Sequence, residues 1–165
     1  MKKTVTLLSV LGLTLVMSCG DGKKNESSPY DKSTATEKPV ENKVVDATPA
    51  SQRVDLTNKG IGPIKSVTLN PEIDMEMAAK GEEIYKMNCT ACHKPDKKFI
   101  GPAPKGILER RTPEWVMNMI MNPDEMTQKD PLAKDLLVEF NGSPMANQHM
   151  SEEQTRQMLE YFRTL

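Results

Sequence analysis

The chain has 165 residues and carries 22 basic and 23 acidic side chains, so its formal net charge is −1 at pH 7. A chain of this length can bury only a limited hydrophobic core. Its near-neutral charge and the lack of a recognisable nucleic-acid-binding motif argue against a DNA-binding or RNA-binding protein, because such proteins need concentrated positive charge.

The first 18 residues have the pattern of an export signal. A short basic start, Met1-Lys2-Lys3, precedes an apolar run over residues 5–17. This run is too short for a membrane-spanning helix, which needs about 20 apolar residues, and is typical of a signal peptide. It ends in Val16-Met17-Ser18-Cys19, which resembles the lipobox of bacterial lipoproteins and implies lipidation of Cys19. An ordinary export signal with an incidental cysteine is the alternative, and both interpretations place the protein outside the cytoplasm.

Residues 19–71 are predicted to form a flexible linker between a lipid anchor and a folded domain. From Gly20 to about Arg53 the sequence consists mainly of charged and small polar residues with prolines, and Tyr30 is its single aromatic residue. Such a segment buries too little apolar surface to offset its ordering entropy, so we expect it to be disordered. As a random coil to residue 72 it would span about 40 Å, enough to swing a domain between membrane-bound partners. A passive spacer is equally consistent with this composition.

One part of the linker, residues 58–69, has a different composition. It is less polar than its surroundings and contains two glycines beside Pro63. Ile61, Ile64 and Val67 could anchor this segment as an ordered arm on the folded domain. It could also be a turn that carries a few isolated aliphatic residues, and we prefer the arm.

Residues 89–93, Cys89-Thr90-Ala91-Cys92-His93, form the C-x-x-C-H motif of a c-type haem attachment site. The two thiols can add to the two vinyl groups on one edge of a haem, and His93 can then ligate the iron. A zinc ribbon would need a second cysteine pair, and a redox dithiol would need a βαβ setting; neither is evident in this sequence. The motif therefore predicts one covalently attached haem c, and the export signal agrees with it because bacteria attach this haem outside the cytoplasm.

Residues 72–165 are predicted to form one small all-α domain of about four helices packed around the haem. Apolar residues recur at helical spacing in four segments, each of which follows a helix start signal. These signals are Asn70-Pro71-Glu72, Thr112-Pro113-Glu114, Asp130-Pro131, and the capping-box pair Ser151 and Gln154. The covalent haem would supply a large share of the core of such a small domain.

The sequence around the motif resembles the opening of a monohaem class I cytochrome c. In that family a glycine eight residues before the first cysteine lets the C-terminal helix cross closely, and an aromatic residue four positions before it packs at the crossing. Gly81 and Tyr85 match these two positions, and Tyr161 matches the family's C-terminal aromatic residue. Generic helix packing could explain each residue alone, but their joint spacing favours the family. The resemblance, of the bacterial lipoprotein type, implies the small cytochrome c fold.

The resemblance also implies two further haem-site residues. Gly101-Pro102 lies where the family places a proline whose carbonyl accepts a hydrogen bond from the ligating histidine. The family's sixth iron ligand is a methionine about six or seven residues before the final helix, and Met145 has this spacing. Met150 and His149 are the alternative ligands, although both lie close to the helix start. The sequence departs from the family pattern in that the proline beside Met145 precedes it instead of following it.

A group of basic residues follows the haem motif. Residues 94–111 contain two acidic and six basic side chains, and the basic ones are Lys94, Lys97, Lys98, Lys105, Arg110 and Arg111. This group could steer an acidic redox partner towards the haem by raising the encounter rate. Alternatively, the two arginines could pair with the haem propionates while the lysines form an ordinary solvated surface.

These features predict a monomeric, membrane-tethered electron carrier rather than an enzyme. We expect it to pass single electrons between a quinol-oxidising complex and a terminal oxidase or reductase. Three segments, Gly60-Ile61-Gly62-Pro63, residues 115–122 and residues 144–148, resemble lipoprotein cytochromes encoded near nitrous oxide reductase, which implies that enzyme as a candidate acceptor. The alternative is a haem enzyme or gas sensor whose sixth ligand site is open or displaceable. A di-haem peroxidase is disfavoured because a second C-x-x-C-H motif is absent from the sequence.

Overall fold

The computed structural model describes residues 47–165, which contain five α-helices and one 3₁₀ turn. The elements are α1 (Met75–Asn88), the 3₁₀ turn (Ile107–Glu109), α2 (Pro113–Met121), α3 (Pro123–Lys129), α4 (Pro131–Glu139) and α5 (Glu152–Arg163). Extended pairing within the described part is limited to an isolated parallel bridge between Asp55 and Arg111. The predicted all-α fold is confirmed, with five helices where the sequence indicated about four.

The signal peptide expected at residues 1–18, the lipidation site Cys19 and the linker up to residue 46 lie outside the described residues. From residue 47 onwards, none of the helices combines the length and the apolar character that crossing a bilayer requires. Membrane attachment through Cys19 therefore stays a prediction from the sequence.

Helix α1 begins a few residues later than its predicted start signal. Asp74 caps it, since the carboxylate accepts a hydrogen bond from the Met77 N–H at 2.9 Å. Residues 70–72 are instead held outside the helix by Arg163 of α5, whose guanidinium donates to the carbonyls of Asn70 at 2.7 Å and Pro71 at 3.0 Å. A side chain 92 residues downstream of Pro71 makes this contact, which local sequence patterns do not reveal.

Helix α3 is the element that the sequence pattern did not indicate. It contains only seven residues, begins with Pro123 at its first turn and buries Pro123 and Met126. Two buried positions in a helix this short are too few to reveal a helical period. The Met126 side chain is fully buried in the core.

The first and last helices cross at the glycine indicated by the sequence. A Cβ added at Gly81 would lie 2.1 Å from the carbonyl oxygen of Gln157 in α5, so only glycine permits this approach. Tyr85 and Tyr161 pack beside the crossing with ring centroids 5.3 Å apart, and Phe162 meets Tyr85 edge-on at 6.0 Å. Aromatic pairs at such distances add to the stabilisation from burial alone. The crossing therefore positions the end of α1 against α5, and the cysteine motif follows directly from that end.

Residues 49–69, here called the N-terminal strap, lie against residues of α2, α3 and α4. Ala50 is 3% exposed and Ile64 is 4% exposed, so the strap is anchored in the core at two points 14 residues apart. The structure differs here from the flexible linker expected over residues 19–71, because ordered contacts begin near residue 49. The arm indicated at residues 58–69 is the second half of this longer strap.

Side chains of the helices hold the strap by its backbone. Asn118 accepts a hydrogen bond from the Ile64 N–H and donates to the carbonyls of Lys59 and Ile64, all at 2.9 Å. Asp130, which caps α4, accepts from the Trp115 indole at 3.2 Å and from the Asn58 amide at 2.7 Å. Because the Asn118 bonds satisfy backbone groups of the strap, and the Asp130 bond satisfies the Asn58 side chain, a segment of polar composition can pack without a large apolar surface.

Candidate functional site

A largely apolar cavity lies between α1, α2, α4 and α5 and the loops that follow the cysteine motif and α4. Its volume is about 1380 Å³ including the open mouth. The residues predicted for the haem site all line this cavity, and they are Cys89, Cys92, His93, Pro102 and Met145. Residues from sequence positions more than 50 apart are therefore brought to one site.

The cysteine motif continues from the end of α1 as a tight turn. The N–H groups of Cys92 and His93 both donate to the Cys89 carbonyl, at 3.0 and 2.8 Å. Cys89 is partly buried and packs against the core, whereas Cys92 is exposed. Burial raises the pKa of the Cys89 thiol to about 11, with a smaller contribution from Cys92. Such surroundings disfavour a thiolate, whereas a thioether has no charge and carries no such penalty.

The ring of His93 is oriented by the residues that follow it. Its Nδ1 lies 2.8 Å from the Pro102 carbonyl oxygen, which can accept a hydrogen bond from the Nδ1–H and so leave Nε2 free to bind a metal. Gly101 packs against the same ring, and a Cβ there would lie 2.4 Å from Cε1 of His93. The Gly101 N–H also donates to the Cys92 carbonyl at 2.8 Å, which ties the loop to the motif.

The three candidate sixth ligands occupy different environments. Met145 is partly buried, packs against the core and lines the cavity. Met150 is also partly buried against the core, but it is not among the residues of the described part that line the cavity. His149 is exposed, has a φ of 53° and does not line the cavity either. Met119 and Met158 line it as well, from within α2 and α5.

The cavity wall near the strap contains lining residues that the sequence indicated only in part. Arg111 lines the cavity although it is 1% exposed, and its guanidinium lies 5.2 Å from the Trp115 ring centroid. Ser51 of the strap lines the cavity too and makes two hydrogen bonds to the Glu139 carboxylate, at 2.8 and 2.6 Å. The sequence indicated Arg111 through its place in the basic group, as a possible partner of the haem propionates. Nothing in the sequence indicated Ser51.

Comparison with known proteins identifies the family. The family model for cytochrome c matches residues 78–165, more than half of the chain. The chain belongs to the cytochrome c family. A comparison with curated proteins found no match.

Solved structures of cytochromes c share this fold. A cytochrome c from Rhodothermus marinus is 40% identical, has a TM-score of 0.61, and the match covers 70% of this chain and 92% of that chain. An engineered form of that cytochrome is also 40% identical, with a TM-score of 0.61 and coverage of 70% and 93%. A further engineered form, bound to a carbene intermediate, is 40% identical with a TM-score of 0.58 and the same coverage. These matches span more of the chain than residues 78–165, so they extend beyond the family model.

Family membership establishes a covalently attached haem c with its iron, and electron transfer by that haem. The cavity fits this group: its lining is mainly apolar, two cysteines stand at its wall, and the glycine beside the His93 ring leaves the space that this ring needs. When bound, the haem supplies an iron that gains and loses one electron. The chain holds the His93 ring in one orientation, and the apolar lining of the cavity would exclude water from the bound group, whereas Cys92 is exposed.

Proposed function

We propose that this cytochrome is an exported, lipid-anchored electron carrier, not an enzyme, that passes single electrons between a quinol-oxidising complex and a terminal oxidase or reductase. The observation that carries the proposal is the position of Met145 at the same cavity as His93. If both residues ligate the iron, a histidine and a methionine would raise its potential and leave no place for a substrate. The position of Met145 supports it as the sixth ligand over Met150 and His149.

The test of this assignment is the absorption spectrum of the matured holoprotein, oxidised and reduced, with and without carbon monoxide. We expect the oxidised wild type to show the weak long-wavelength band of iron–sulfur ligation, and the reduced wild type to resist carbon monoxide. Met145→Ala should lose the band, bind carbon monoxide readily and have a lower potential. Met150→Ala is the matched control, because Met150 is a partly buried methionine of the same loop and should leave all three properties unchanged.

The proposed anchor rests on the sequence of residues 1–19 alone. Lipid on Cys19 would hold the domain at a membrane on its extracytoplasmic side, provided that at least two acyl chains are attached. We expect the full chain to fractionate with membranes, and the Cys19→Ala variant to be released or to accumulate unprocessed. A wild-type chain found wholly in the soluble extract would contradict the anchor without affecting the haem site.

The surface beside Cys92 supports a role in docking a redox partner. Phe99 and Ile100 are about half exposed, at 49% and 48%. Lys94 lies 4.9 Å from the Phe99 ring centroid, so the apolar patch has a cation at its border. Such a surface favours an acidic partner, and its association rate should fall steeply with salt.

Nitrous oxide reductase is the candidate acceptor that the sequence resemblance suggests. Stopped-flow reduction of that enzyme and of a terminal oxidase by the reduced cytochrome would compare the two acceptors directly. Lys97→Glu, which reverses one exposed charge of the basic group, should slow the productive reaction at low salt. A rate that is independent of both salt and Lys97 would contradict docking at this surface.

The alternative function is a haem enzyme or gas sensor with a displaceable sixth ligand. The observation that favours it is the weak attachment of the loop of residues 141–150. In the described structure the side-chain hydrogen bonds of this loop join residues of the loop itself, as between the His149 N–H and the Asn147 side chain at 2.8 Å. A loop held in this way can move without breaking the helical core. Ready binding of carbon monoxide by the reduced wild type would support this alternative and contradict the carrier.

A further inference from the structure

The loop that carries Met145 begins at the end of helix α4. The N–H groups of residues 141–143 donate to carbonyls of the last turn of α4 and of its cap residue Phe140, at 2.8 to 3.1 Å, and so close the helix end. Directly after this turn, residues 143–146 line the haem cavity. The position of the last turn of α4 therefore decides where the loop, with Met145 in it, enters the cavity wall.

Apolar burial holds α4 at its two ends but not along the face between them. Leu132 and Ala133 in the first turn are buried, and so is the cap residue Phe140. Asp135 and Glu139 lie four residues apart on one face of the helix. The Asp135 side chain is about half exposed and the Glu139 side chain is partly exposed, so this face needs a direct polar attachment to stay in place.

The N-terminal strap makes that attachment. Ser51 donates twice to the Glu139 carboxylate, from its N–H at 2.8 Å and from its hydroxyl at 2.6 Å. Arg53 forms an ion pair with Asp135 at 2.6 Å. Lys98 reaches Glu139 only at 3.9 Å and from a largely exposed position, so its contribution is small. The closest polar partners that the described residues offer to these two carboxylates are therefore in the strap.

The same part of the strap is fixed on its other side to the segment before α2. The Asp55 N–H donates to the Arg110 carbonyl at 2.9 Å, and the Ala50 carbonyl accepts from the Arg111 guanidinium at 2.6 Å. Residues 50–55 therefore form a brace between that segment and α4. Because Arg111 is buried whereas the contacts to α4 are partly exposed, we expect the contacts to α4 to open first.

We propose that Ser51 and Arg53 are positioning residues for the loop that carries Met145. By holding the two carboxylates of α4 they keep the end of the helix in place, so the loop stays closed over the cavity and limits access to the iron. When these attachments open, the last turn of α4 frays and the loop moves with it, because helix ends open more readily than the buried core. The inference rests on the proposed sixth ligand, Met145, and gives the strap a role at the haem site.

The test is a double-mutant cycle with two readouts on the holoprotein: the rate of carbon monoxide binding after reduction, and hydrogen exchange of the amides of residues 141–143. Ser51→Ala with Arg53→Ala weakens the attachments from the strap. Asp135→Ala with Glu139→Ala removes them from α4, at two positions that are not among the cavity-lining residues of the described part. Each pair should raise both rates by about two- to tenfold, the factor that one lost hydrogen bond gives in an opening equilibrium. Combining the pairs should add little, because both act on the same attachments.

The matched control is Asn118→Ala. Asn118 makes three hydrogen bonds to the backbone of residues 59–64, in the second half of the same strap, and it does so from α2. Its removal loosens the strap and lowers stability but leaves the attachments to α4 in place. We therefore expect both rates to match the wild type.

The outcomes separate this proposal from the proposed function. An unchanged rate of either kind in the strap variant would overturn the proposal, as would fully additive effects in the cycle or an equal increase in Asn118→Ala. If the combined variants yield no holoprotein, Ser51→Ala alone removes one hydroxyl and should raise both rates by a smaller factor; no change there would overturn the proposal. Ready carbon monoxide binding by the wild type would contradict the carrier function, and the exchange of residues 141–143 would still decide whether the strap holds the loop.

Discussion

The histidine side and the methionine side of the haem cavity are built in different ways. His93 follows helix α1 directly, its ring contacts the Pro102 carbonyl at 2.8 Å, and Gly101 closes against it. Met145 lies in the loop of residues 141–150, most of which is exposed. Two residues of that loop, Asn141 and His149, have positive φ although they are not glycines.

This difference indicates which ligand can be exchanged. On the histidine side, the position of the ligand depends on the crossing of α1 and α5 and on a partly buried contact, so moving the ligand would disturb the core. On the methionine side, the ligand depends on a loop whose displacement costs few buried contacts. We therefore expect the histidine side to determine whether the haem is held, and the methionine side to tune what the iron can bind.

The largest expected effect comes from removing the histidine. His93→Ala should sharply reduce the yield of holoprotein, because it destroys the attachment motif and the oriented ligand together. Met145→Ala should retain nearly the full haem content, since the two cysteines and His93 are unchanged. The ratio of haem absorbance to protein in purified samples measures this. Equal losses of haem in the two variants would contradict the expected difference between the histidine side and the methionine side.

A second prediction compares two glycines, one on each side. Gly101→Ala would place a Cβ 2.4 Å from the His93 ring and should destabilise the holoprotein by about 1–3 kcal/mol, with an altered absorption spectrum. Gly142→Ala meets no atom within 4 Å, but its φ of 71° is strained for alanine, at a cost of about 1–2 kcal/mol. Denaturant unfolding measures both costs. Only Gly101→Ala should change the spectrum, and a spectral change in Gly142→Ala would count against the loop as an independent element.

A third prediction concerns Pro144, the residue before the proposed ligand. Pro144→Gly should loosen the loop, because glycine leaves the chain more conformational freedom, by about 0.4–1 kcal/mol. The open state of the loop would then be about two- to fivefold more populated, and carbon monoxide should bind the reduced protein faster by the same factor. Stopped-flow mixing measures this rate. An unchanged rate would show that loop opening does not limit access to the iron.

Local patterns in the sequence indicated the residues around His93 and the second half of the strap, but they gave no sign of the first half of the strap, for physical reasons. The cysteine motif, Gly81 and Pro102 belong to local patterns whose spacing is dictated by covalent attachment and by a helix crossing. The strap is held by Asn118 and Arg111, which contact backbone groups 54 to 61 residues away. Those contacts satisfy carbonyls and N–H groups, which every residue has, so the composition of the strap gave no sign of them. Helix α3 was missed because seven residues are too few to show a period.

The smallest expected effect tests the alternative ligand His149. His149→Gly removes the imidazole and places at a φ of 53° the residue that adopts this conformation most readily. The relief of strain is offset by the greater entropy of glycine in the unfolded chain, so we expect a net change within about 0.5 kcal/mol. Because His149 is exposed and does not line the cavity, the spectrum and the potential should match the wild type. A change in the absorption spectrum or in the reduction potential would instead identify His149, and not Met145, as the sixth iron ligand.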